Sequence, residues 1–410
     1  MAAAAAGPEH LGTALLYAAG RGDTARVAQL LDQGAAVESK HGNGMTAAIW
    51  AAQRGHADTA AILLDRGADI EGKSYFGRTA LIWAASAGQA AVVDMLLGRG
   101  ANVKAKSSDG KTALMWAAWC GHSDVARLLL DCGADLTATS SGGMSALVWA
   151  ASGGHGPTAD LLLGYGADLE AKCCEGKTAL IWAAVHGHAE VACALINRGA
   201  CLEARSRNGG TPLIWASRNG HSRIMELLLD AGADVGGMDD DGQTALALAS
   251  TEGKANAARL LLQRGADVEA KDRHGKTPLI KAAGRGSVMV AAVLLQWGSD
   301  PQAKDSTGRT PLMWASQSRA GEVASLLLDC GASLEAEDDA GMTALLWAAQ
   351  LGRAEVARQL LIRGADAGAT STDGRGAAAL CSAQTCKLVL QDAERIQRWH
   401  RRRHLAMWHS

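Results

Sequence analysis

Three copies of the tripeptide Gly-Lys-Thr are the clearest hint of chemistry in this 410-residue sequence. They lie at residues 110–112, 176–178 and 275–277. A phosphate-binding loop uses such a lysine and hydroxyl, and it needs a further glycine five residues before the glycine of the motif. The residues at that position are Ala105, Ala171 and Ala270. We therefore interpret each tripeptide as a hairpin turn followed by a helix cap, and we predict no cofactor.

The sequence gives no better support for metal-dependent or nucleophilic catalysis. His188-Ala189-Glu190 is similar to the start of a zinc-deaminase signature, but no Pro-Cys-x-x-Cys segment follows it. His188 is one of five histidines in Gly-His steps that lie far apart in the chain. Such dispersed histidines cannot share a metal ion, so a structural hydrogen bond is the better interpretation. We predict a non-enzymatic protein with no catalytic residues and no metal site.

The organising feature is a constant interval of about 33 residues between equivalent positions. A hydroxyl residue recurs at this spacing, at Thr46, Thr79, Thr112, Ser145, Thr178, Thr211, Thr244, Thr277, Thr310 and Thr343. Glycine follows the same period from Gly34 to Gly364. No insertion interrupts the register, so the chain is predicted to repeat one structural unit.

One unit predicts two short helices and a loop. Thr112 is placed to cap a first helix, on which Leu114, Ala117 and Ala118 form one apolar stripe. Gly121 ends that helix, since glycine tolerates a positive φ. A second apolar stripe follows, and polar residues after it suit a projecting hairpin. Helices this short bury their stripes only against neighbouring copies, which predicts a solenoid.

These units resemble ankyrin repeats, whose signature Thr-Pro-Leu-His-x-Ala recurs at a period of about 33 residues. The first three letters match at 211–213, 277–279 and 310–312, and a Leu-Leu-x-x-Gly-Ala-Asp ending occurs at 63–69 and 261–267. The motif's His is replaced by Ile, Met, Leu or Val in most repeats, and Arg319 stands where a helix-ending glycine is expected. The resemblance implies an all-α solenoid of stacked helix-turn-helix units with β-hairpin loops.

The period also predicts the division of the chain. We expect an N-terminal tail at 1–9, eleven repeats at 10–372, a degenerate capping repeat at 373–391, and a basic helix or tail at 392–410. A solvated helix that shields the last repeat is the simplest interpretation of the basic end. The alternatives are a nuclear-import patch, contact with an acidic partner, or weak binding to an anionic membrane.

Tryptophan occupies one position of the first helix in most repeats. The predicted partner-binding groove consists of Trp50, Trp83, Trp116, Trp119, Trp149, Trp182, Trp215, Lys281, Trp314 and Trp347. Trp116 lies about 200° around the helix from Leu114, opposite the buried stripe. In the resembled family the first helices line the concave side, which implies that the indoles line an inner groove.

Two interpretations of the tryptophans stay open. The indoles stabilise the stack, or tandem duplication copied them forward; alternatively they form a half-exposed apolar surface that binds a partner. The hairpins differ between copies while the tryptophan does not, because Ser107, Cys173, Ser206 and Asp272 share one position. This difference favours binding. The residues expected to set the register of the partner are Arg54, Trp119, His186, Arg218, Glu252, Lys281 and Arg285.

The predicted function is a protein-interaction scaffold or adaptor that binds one or more partner proteins. A permanent structural subunit of a large assembly, or a regulatory repeat region of a larger enzyme or channel, are the alternatives. The net charge of −2 argues against nucleic-acid binding by the repeats, and no apolar stretch is long enough to span a membrane. Nine scattered cysteines without a CxxC pair favour the cytoplasm, with the nucleus as the second choice.

Overall fold

The computed structural model describes residues 8–318, 321–381, 384 and 386–392. It divides into two compact units, residues 1–207 and 208–410, here called unit 1 and unit 2. Each unit consists of helix pairs that are separated by hairpin loops. Arg319 and nearly all of the basic C-terminal segment, residues 393–410, lie outside the described residues.

Unit 1 contains six consecutive helix pairs among its described residues. They are α1 (Pro8–Arg21) and α2 (Thr24–Asp32), α3 (Ala47–Arg54) and α4 (Ala57–Asp65), α5 (Ala80–Ser86) and α6 (Ala90–Gly98), α7 (Ala113–Cys120) and α8 (Ser123–Asp131), α9 (Ala146–Gly153) and α10 (Gly156–Gly164), and α11 (Ala179–His186) and α12 (Ala189–Asn197). Each first helix packs against the first helix of the next pair, and each second helix against the next second helix. The unit therefore has two helical layers.

Unit 2 repeats the arrangement in five pairs and one short terminal helix. They are α13 (Pro212–Asn219) and α14 (Ser222–Asp230), α15 (Ala245–Thr251) and α16 (Ala255–Gln263), α17 (Pro278–Arg285) and α18 (Val288–Gln296), α19 (Pro311–Gln317) and α20 (Gly321–Asp329), α21 (Ala344–Gln350) and α22 (Ala354–Ile362), and α23 (Ala377–Leu380). Residues 386–392 are also helical. The all-α repeat solenoid predicted from the sequence is confirmed in each unit.

The helix ends follow the expected local chemistry. The hydroxyl of Thr112 accepts a hydrogen bond from the backbone N–H of Met115 at the start of α7, 3.4 Å away. Gly121 ends α7 with a φ of +79°, in the left-handed region that other residues avoid. Residues at the position of Thr112 cap the first helix in the same way in ten successive repeats, from Thr46 to Thr343.

The core lies between neighbouring helix pairs. Leu114, Ala117 and Ala118 are fully buried, as their spacing predicted. A buried leucine stabilises the fold by about 1.5–3 kcal/mol relative to an exposed one. Alanine adds little apolar area, but its small side chain lets adjacent first helices approach closely.

Histidines join consecutive pairs, as the sequence predicted for the Gly-His steps. The ring Nε2 of His188 donates to the carbonyl oxygen of Ser152 in the preceding first helix, over 3.1 Å. His56 makes the same contact with Gly20, over 3.3 Å. These two histidines therefore have a structural role, because each joins consecutive helix pairs.

Within each unit, the hairpin loops form a third row beside the two helical layers. A single backbone hydrogen bond joins consecutive hairpins, such as that from the Ser108 N–H to the Phe76 carbonyl oxygen in unit 1, over 3.0 Å. In unit 2 the Ser306 N–H donates to the His274 carbonyl oxygen at the same distance. These hairpins are consequently held against their neighbours within each unit.

Candidate functional site

The tryptophan positions of the first helices lie beside the hairpin row. Trp50, Trp83, Trp149 and Trp182 of unit 1 are partly buried, as are Trp215, Trp314 and Trp347 of unit 2. Trp116 is buried, with only 6% of its surface exposed, whereas Trp119 is 38% exposed. The expectation of a half-exposed indole surface is therefore wrong for Trp116. Its ring is covered by side chains from the hairpins.

The covering side chains are hairpin cations, and two of them, Arg78 and Lys111, lie five residues before the tryptophans of their own repeats. In unit 1 the guanidinium carbon of Arg78 is 4.6 Å from the ring centroid of Trp83 and 3.7 Å from that of Trp116 in the next repeat. Burial lowers the pKa of Arg78, and the nearby Asp109 carboxylate partly opposes that shift. Arg78 stays charged, since an arginine guanidinium is not deprotonated in proteins. A cation–π contact of this kind is worth about 0.5–2 kcal/mol.

Lys111 occupies the equivalent place one repeat later. Its Nζ lies 4.5 Å from the Trp116 centroid, 4.1 Å from Trp149 and 5.0 Å from Trp119, and it forms an ion pair with Asp109 over 3.0 Å. Trp119 packs between the other two indoles, 5.2 Å from Trp116 and 5.6 Å from Trp149. Unit 1 thus holds a cluster of three indoles around one ammonium group, with Trp119 as its exposed member.

The remaining predicted residues of unit 1 extend this row. Trp50 contacts His41 edge to face at 5.6 Å and the guanidinium of Arg54 at 5.9 Å. Trp182 stacks on His186 at 5.5 Å, and the Nζ of Lys177 lies 4.7 Å from its centroid. Arg54 and His186 therefore contact the tryptophans whose partner they were expected to orient.

A second hairpin position, nine residues before each tryptophan, faces the indole edge. We call it the acceptor position; in unit 1 it holds His41, Ser74, Ser107, Ser140, Cys173 and Ser206. The Nε1 of Trp83 donates to the Ser74 hydroxyl over 3.3 Å. The buried Nε1 atoms of Trp50, Trp116, Trp149 and Trp182 have no hydrogen-bond partner among the described residues. Most indoles of unit 1 are therefore held by ring contacts.

Unit 2 has aspartate at every acceptor position from repeat 8 to repeat 11, namely Asp239, Asp272, Asp305 and Asp338. The Oδ1 of Asp305 accepts from the backbone N–H groups of Thr307 and Arg309, which closes the hairpin. Its Oδ2 accepts from the Nε1 of Trp314 over 2.9 Å. Asp338 binds Trp347 over the same distance. Asp305 and Asp338 therefore each join a hairpin to an indole.

Lys281 replaces tryptophan in repeat 9 and keeps the same bond. Its Nζ lies 2.7 Å from the Oδ2 of Asp272 and donates to the Gln243 side chain over 3.0 Å. The two charged side chains are only 11% and 4% exposed. Burial alone would raise the pKa of Asp272, but the hydrogen bond and charge of Lys281 and the hairpin N–H groups hold it below its ordinary value. Lys281 is therefore a structural ion-pair partner.

Cations also cover the later tryptophans of unit 2. The Nζ of Lys276 is 3.9 Å from the Trp314 centroid, and the guanidinium carbon of Arg309 is 4.0 Å from that of Trp347. Lys111, Lys177 and Lys276 are the lysines of the three Gly-Lys-Thr tripeptides. In each tripeptide the glycine has a positive φ, the lysine contacts an indole and the threonine caps a helix. The turn-and-cap interpretation is confirmed.

Two adjoining clefts open in unit 2 where the tryptophan series is interrupted. One of about 230 Å³, the Leu248 cleft, is lined among others by Trp215, Asp239, Asp241, Leu248, Thr251 and Glu252. The other, the Trp314 cleft, has about 220 Å³ and is lined by Thr251, Lys276, Ile280, Lys281, Arg285 and Trp314. Arg218 and Glu252 pair over 3.6 Å beside the first cleft, and Arg285 lines both. The residues expected to set register in unit 2 thus surround these clefts.

A family model of ankyrin repeats, three copies per match, fits residues 5–74, 71–140, 138–206, 200–272, 271–338 and 298–371. The chain belongs to the ankyrin-repeat family. Ankyrin repeats are protein-interaction modules, and solenoids of this type bind partners along an extended surface. A search of curated proteins finds no match to this ankyrin-repeat chain.

Two further properties of the described residues bear on other classes of function. No helix in the described part of this ankyrin-repeat protein is long and apolar enough to cross a membrane. Residues 8–318, 321–381, 384 and 386–392 contain no group of three or more His, Cys, Asp or Glu side chains arranged to hold a metal ion.

The hairpin residues were missed in the prediction of the site. Arg78, Lys111, Lys177, Lys276 and Arg309 were not named as groove residues, although each contacts a predicted tryptophan. The signal was present as a lysine or arginine five residues before a first-helix tryptophan or, for Lys276, before Lys281. Likewise the varying hairpin position that includes Ser107 and Asp272 was treated as independent of the tryptophan, whereas it faces the indole edge in its own repeat.

Proposed function

We propose that this protein is a non-enzymatic scaffold that binds a partner protein along the row of tryptophans and hairpin cations. The observation that carries the proposal is the cluster of Lys111, Trp116, Trp119 and Trp149, which presents one exposed indole beside indoles that are buried or partly buried. Tryptophan is enriched among the residues that dominate binding energies at protein interfaces. Rigid indoles also lose little conformational entropy when they are covered.

The cation–π contacts support a modified form of the predicted groove. Because the cations stabilise most indoles within the fold, the binding surface is a mixed aromatic and basic one. Trp119 is the member best placed for a partner, since its ring is packed on two sides and open on another. We propose that the protein acts in the cytoplasm, or secondarily in the nucleus, because its nine cysteines are scattered without a CxxC pair and suit a reducing compartment.

The test compares two tryptophans of similar exposure. Trp119→Ala removes the exposed member of the cluster, and Trp297→Ala removes a 46% exposed tryptophan at the end of the second helix α18. Wild type and both variants are immobilised and used to capture partners from native extract, with mass spectrometry as the readout. We expect Trp119→Ala to weaken capture of a specific partner by about 2 kcal/mol, or roughly 30-fold, and Trp297→Ala to retain it.

Circular dichroism and melting temperature establish that both variants are folded. Equal capture by all three proteins would contradict the proposal that this surface binds the partner. Recovery of every copy in one very large assembly would favour the structural-subunit alternative.

A further inference from the structure

The Leu248 cleft is the place in unit 2 where the pattern of paired side chains is incomplete. In repeats 9, 10 and 11 the Oδ2 of the acceptor aspartate binds a donor on the first helix: the ammonium of Lys281 or the indole N–H of Trp314 or Trp347. In repeat 8 that first-helix residue is Leu248, which has no donor. The Oδ1 of Asp239 closes its hairpin through the N–H groups of Asp241 and Gln243. Its Oδ2 has no partner among the described residues.

The hairpin cation that would cover the side chain of Leu248 is also missing. At four places among the described residues, a hairpin cation covers the first-helix tryptophan of the next repeat, as Arg309 covers Trp347. The hairpin residue at that position before Leu248 is Gly210, which has no side chain. An indole ring and a hairpin cation are thus both absent beside Leu248, and the cleft of about 230 Å³ lies at this place.

The size and charge of the cleft indicate what it accepts. Its volume is below the roughly 300–1,000 Å³ of sites for small-molecule ligands, and suits one long side chain. The carboxylates of Asp239, Asp241 and Glu252 line it, against the guanidinium groups of Arg218 and Arg285. Arg218 is already paired with Glu252. The local excess is therefore negative, and Trp215 offers an aromatic wall.

We propose that the Leu248 cleft binds an arginine or lysine side chain of the partner protein. The cation donates to the free Oδ2 of Asp239 and occupies the volume that a tryptophan and a hairpin cation fill in the repeats that have both. A hydrogen bond between charged groups is shorter and stronger than one between neutral groups, so the basic side chain gains specificity over a neutral one. This inference rests on the proposed partner-binding function and names the chemistry of one contact.

The experiment uses the full chain and a capped tripeptide, Gly-Arg-Gly, with Gly-citrulline-Gly as an uncharged isostere. Methyl NMR follows Ile214, Leu248 and Thr251, which line the cleft. We expect the arginine peptide to shift these methyl signals at millimolar concentration, and citrulline to bind at least about tenfold more weakly. Added salt should weaken the arginine complex, because the attraction is electrostatic.

Two variants each supply one of the side chains that are missing beside the cleft. Leu248→Trp supplies the indole donor for Asp239, and Gly210→Lys supplies the hairpin cation. Each should reduce arginine-peptide binding at least about tenfold at the Ile214 methyl. Ile362→Trp adds an indole at an exposed position on α22 and serves as the matched control, with unchanged binding.

The proposal is overturned if citrulline binds as well as arginine, if no methyl signal responds, or if Leu248→Trp binds the arginine peptide like wild type while the rest of its spectrum is unchanged. Failure of the wider function is a separate result. It would appear as unaltered partner capture by Trp119→Ala, whatever the tripeptide does in unit 2.

Discussion

The two units hold the same indole in two different ways. In unit 1 the acceptor position carries serine or cysteine in four of the five repeats with a tryptophan, and most indole N–H groups lack a hydrogen bond. In unit 2 the position carries aspartate, which binds the indole of Trp314 or Trp347 and closes its own hairpin. Cations cover the ring faces in both units.

The tryptophan position of the first helix is therefore held through a different part of the side chain in each unit. In unit 1 the indole is secured through its face, so its edge contributes little to stability. In unit 2 the carboxylate fixes the edge, and the first-helix residue becomes exchangeable for another donor. Lys281 is the result, since an ammonium group replaces the indole N–H on Asp272. A change to leucine leaves that carboxylate oxygen free, as in repeat 8.

The largest effect should come from breaking the buried ion pair of repeat 9. Asp272→Ser retains a hairpin acceptor like Ser107 but removes the charge that faces Lys281. A buried ammonium without its counter-ion costs about 3–5 kcal/mol. We expect a loss of this size in native-state hydrogen exchange of the α17 and α18 amides.

The double variant Asp272→Ser/Lys281→Trp converts repeat 9 to the pair found in unit 1. It should recover most of the lost stability, because the indole needs no counter-ion. If the double variant were no more stable than Asp272→Ser, the serine–tryptophan pair of unit 1 could not replace the aspartate–lysine pair of repeat 9.

A smaller effect is expected from removing one indole N–H in each unit. Trp314→Phe keeps a smaller aromatic ring but leaves the Oδ2 of Asp305 without its donor, and a hydrogen bond to a charged group contributes about 1.5–3 kcal/mol. Trp149→Phe loses the same part of the ring but an N–H that has no partner, so its loss should be smaller by about that amount. Urea denaturation of both variants measures the difference. Equal losses would mean that the carboxylate does not secure the edge of the indole.

Much of this architecture could be predicted from sequence, because each feature depends on one repeat. The position of Thr112 predicts the helix start, and the spacing of Leu114, Ala117 and Ala118 predicts the buried face. The contact between Arg78 and Trp116 joins two repeats. The geometry of this contact depends on how far one repeat is displaced relative to the next, and a constant repeat length does not specify that distance. The burial of Trp116 escaped prediction for the same reason.

The acceptor of unit 2 should be transferable to unit 1, with a gain of about 1 kcal/mol. Ser140 is buried, and its hydroxyl has no hydrogen-bond partner in the described structure, as is the case for the Nε1 of Trp149 nine residues later. Ser140→Asp should accept from that indole and from the hairpin N–H groups, as Asp305 does. Thermal unfolding measures the gain. The same change in a Trp149→Phe background is the control and should give less, because only the hairpin bonds remain; a lower melting temperature for Ser140→Asp alone would contradict the prediction.

The smallest expected effect is a difference in acid sensitivity between one hairpin of each unit. Burial alone would raise the pKa of Asp305, but hydrogen bonds from Thr307, Trp314 and Arg309 hold it below its ordinary value. A carboxyl group with a lowered folded pKa stabilises the fold fully above its unfolded pKa of about 3.9, and that contribution is lost as the pH falls through the folded value. Protection factors of α19 amides should therefore fall on acidification below about pH 4, and Asp305→Asn should reduce this dependence. The α9 amides, which follow the uncharged hairpin of Ser140, provide the internal reference. An equal fall in α9 would assign the acid sensitivity to the fold as a whole, and the carboxylate would then not distinguish the two units.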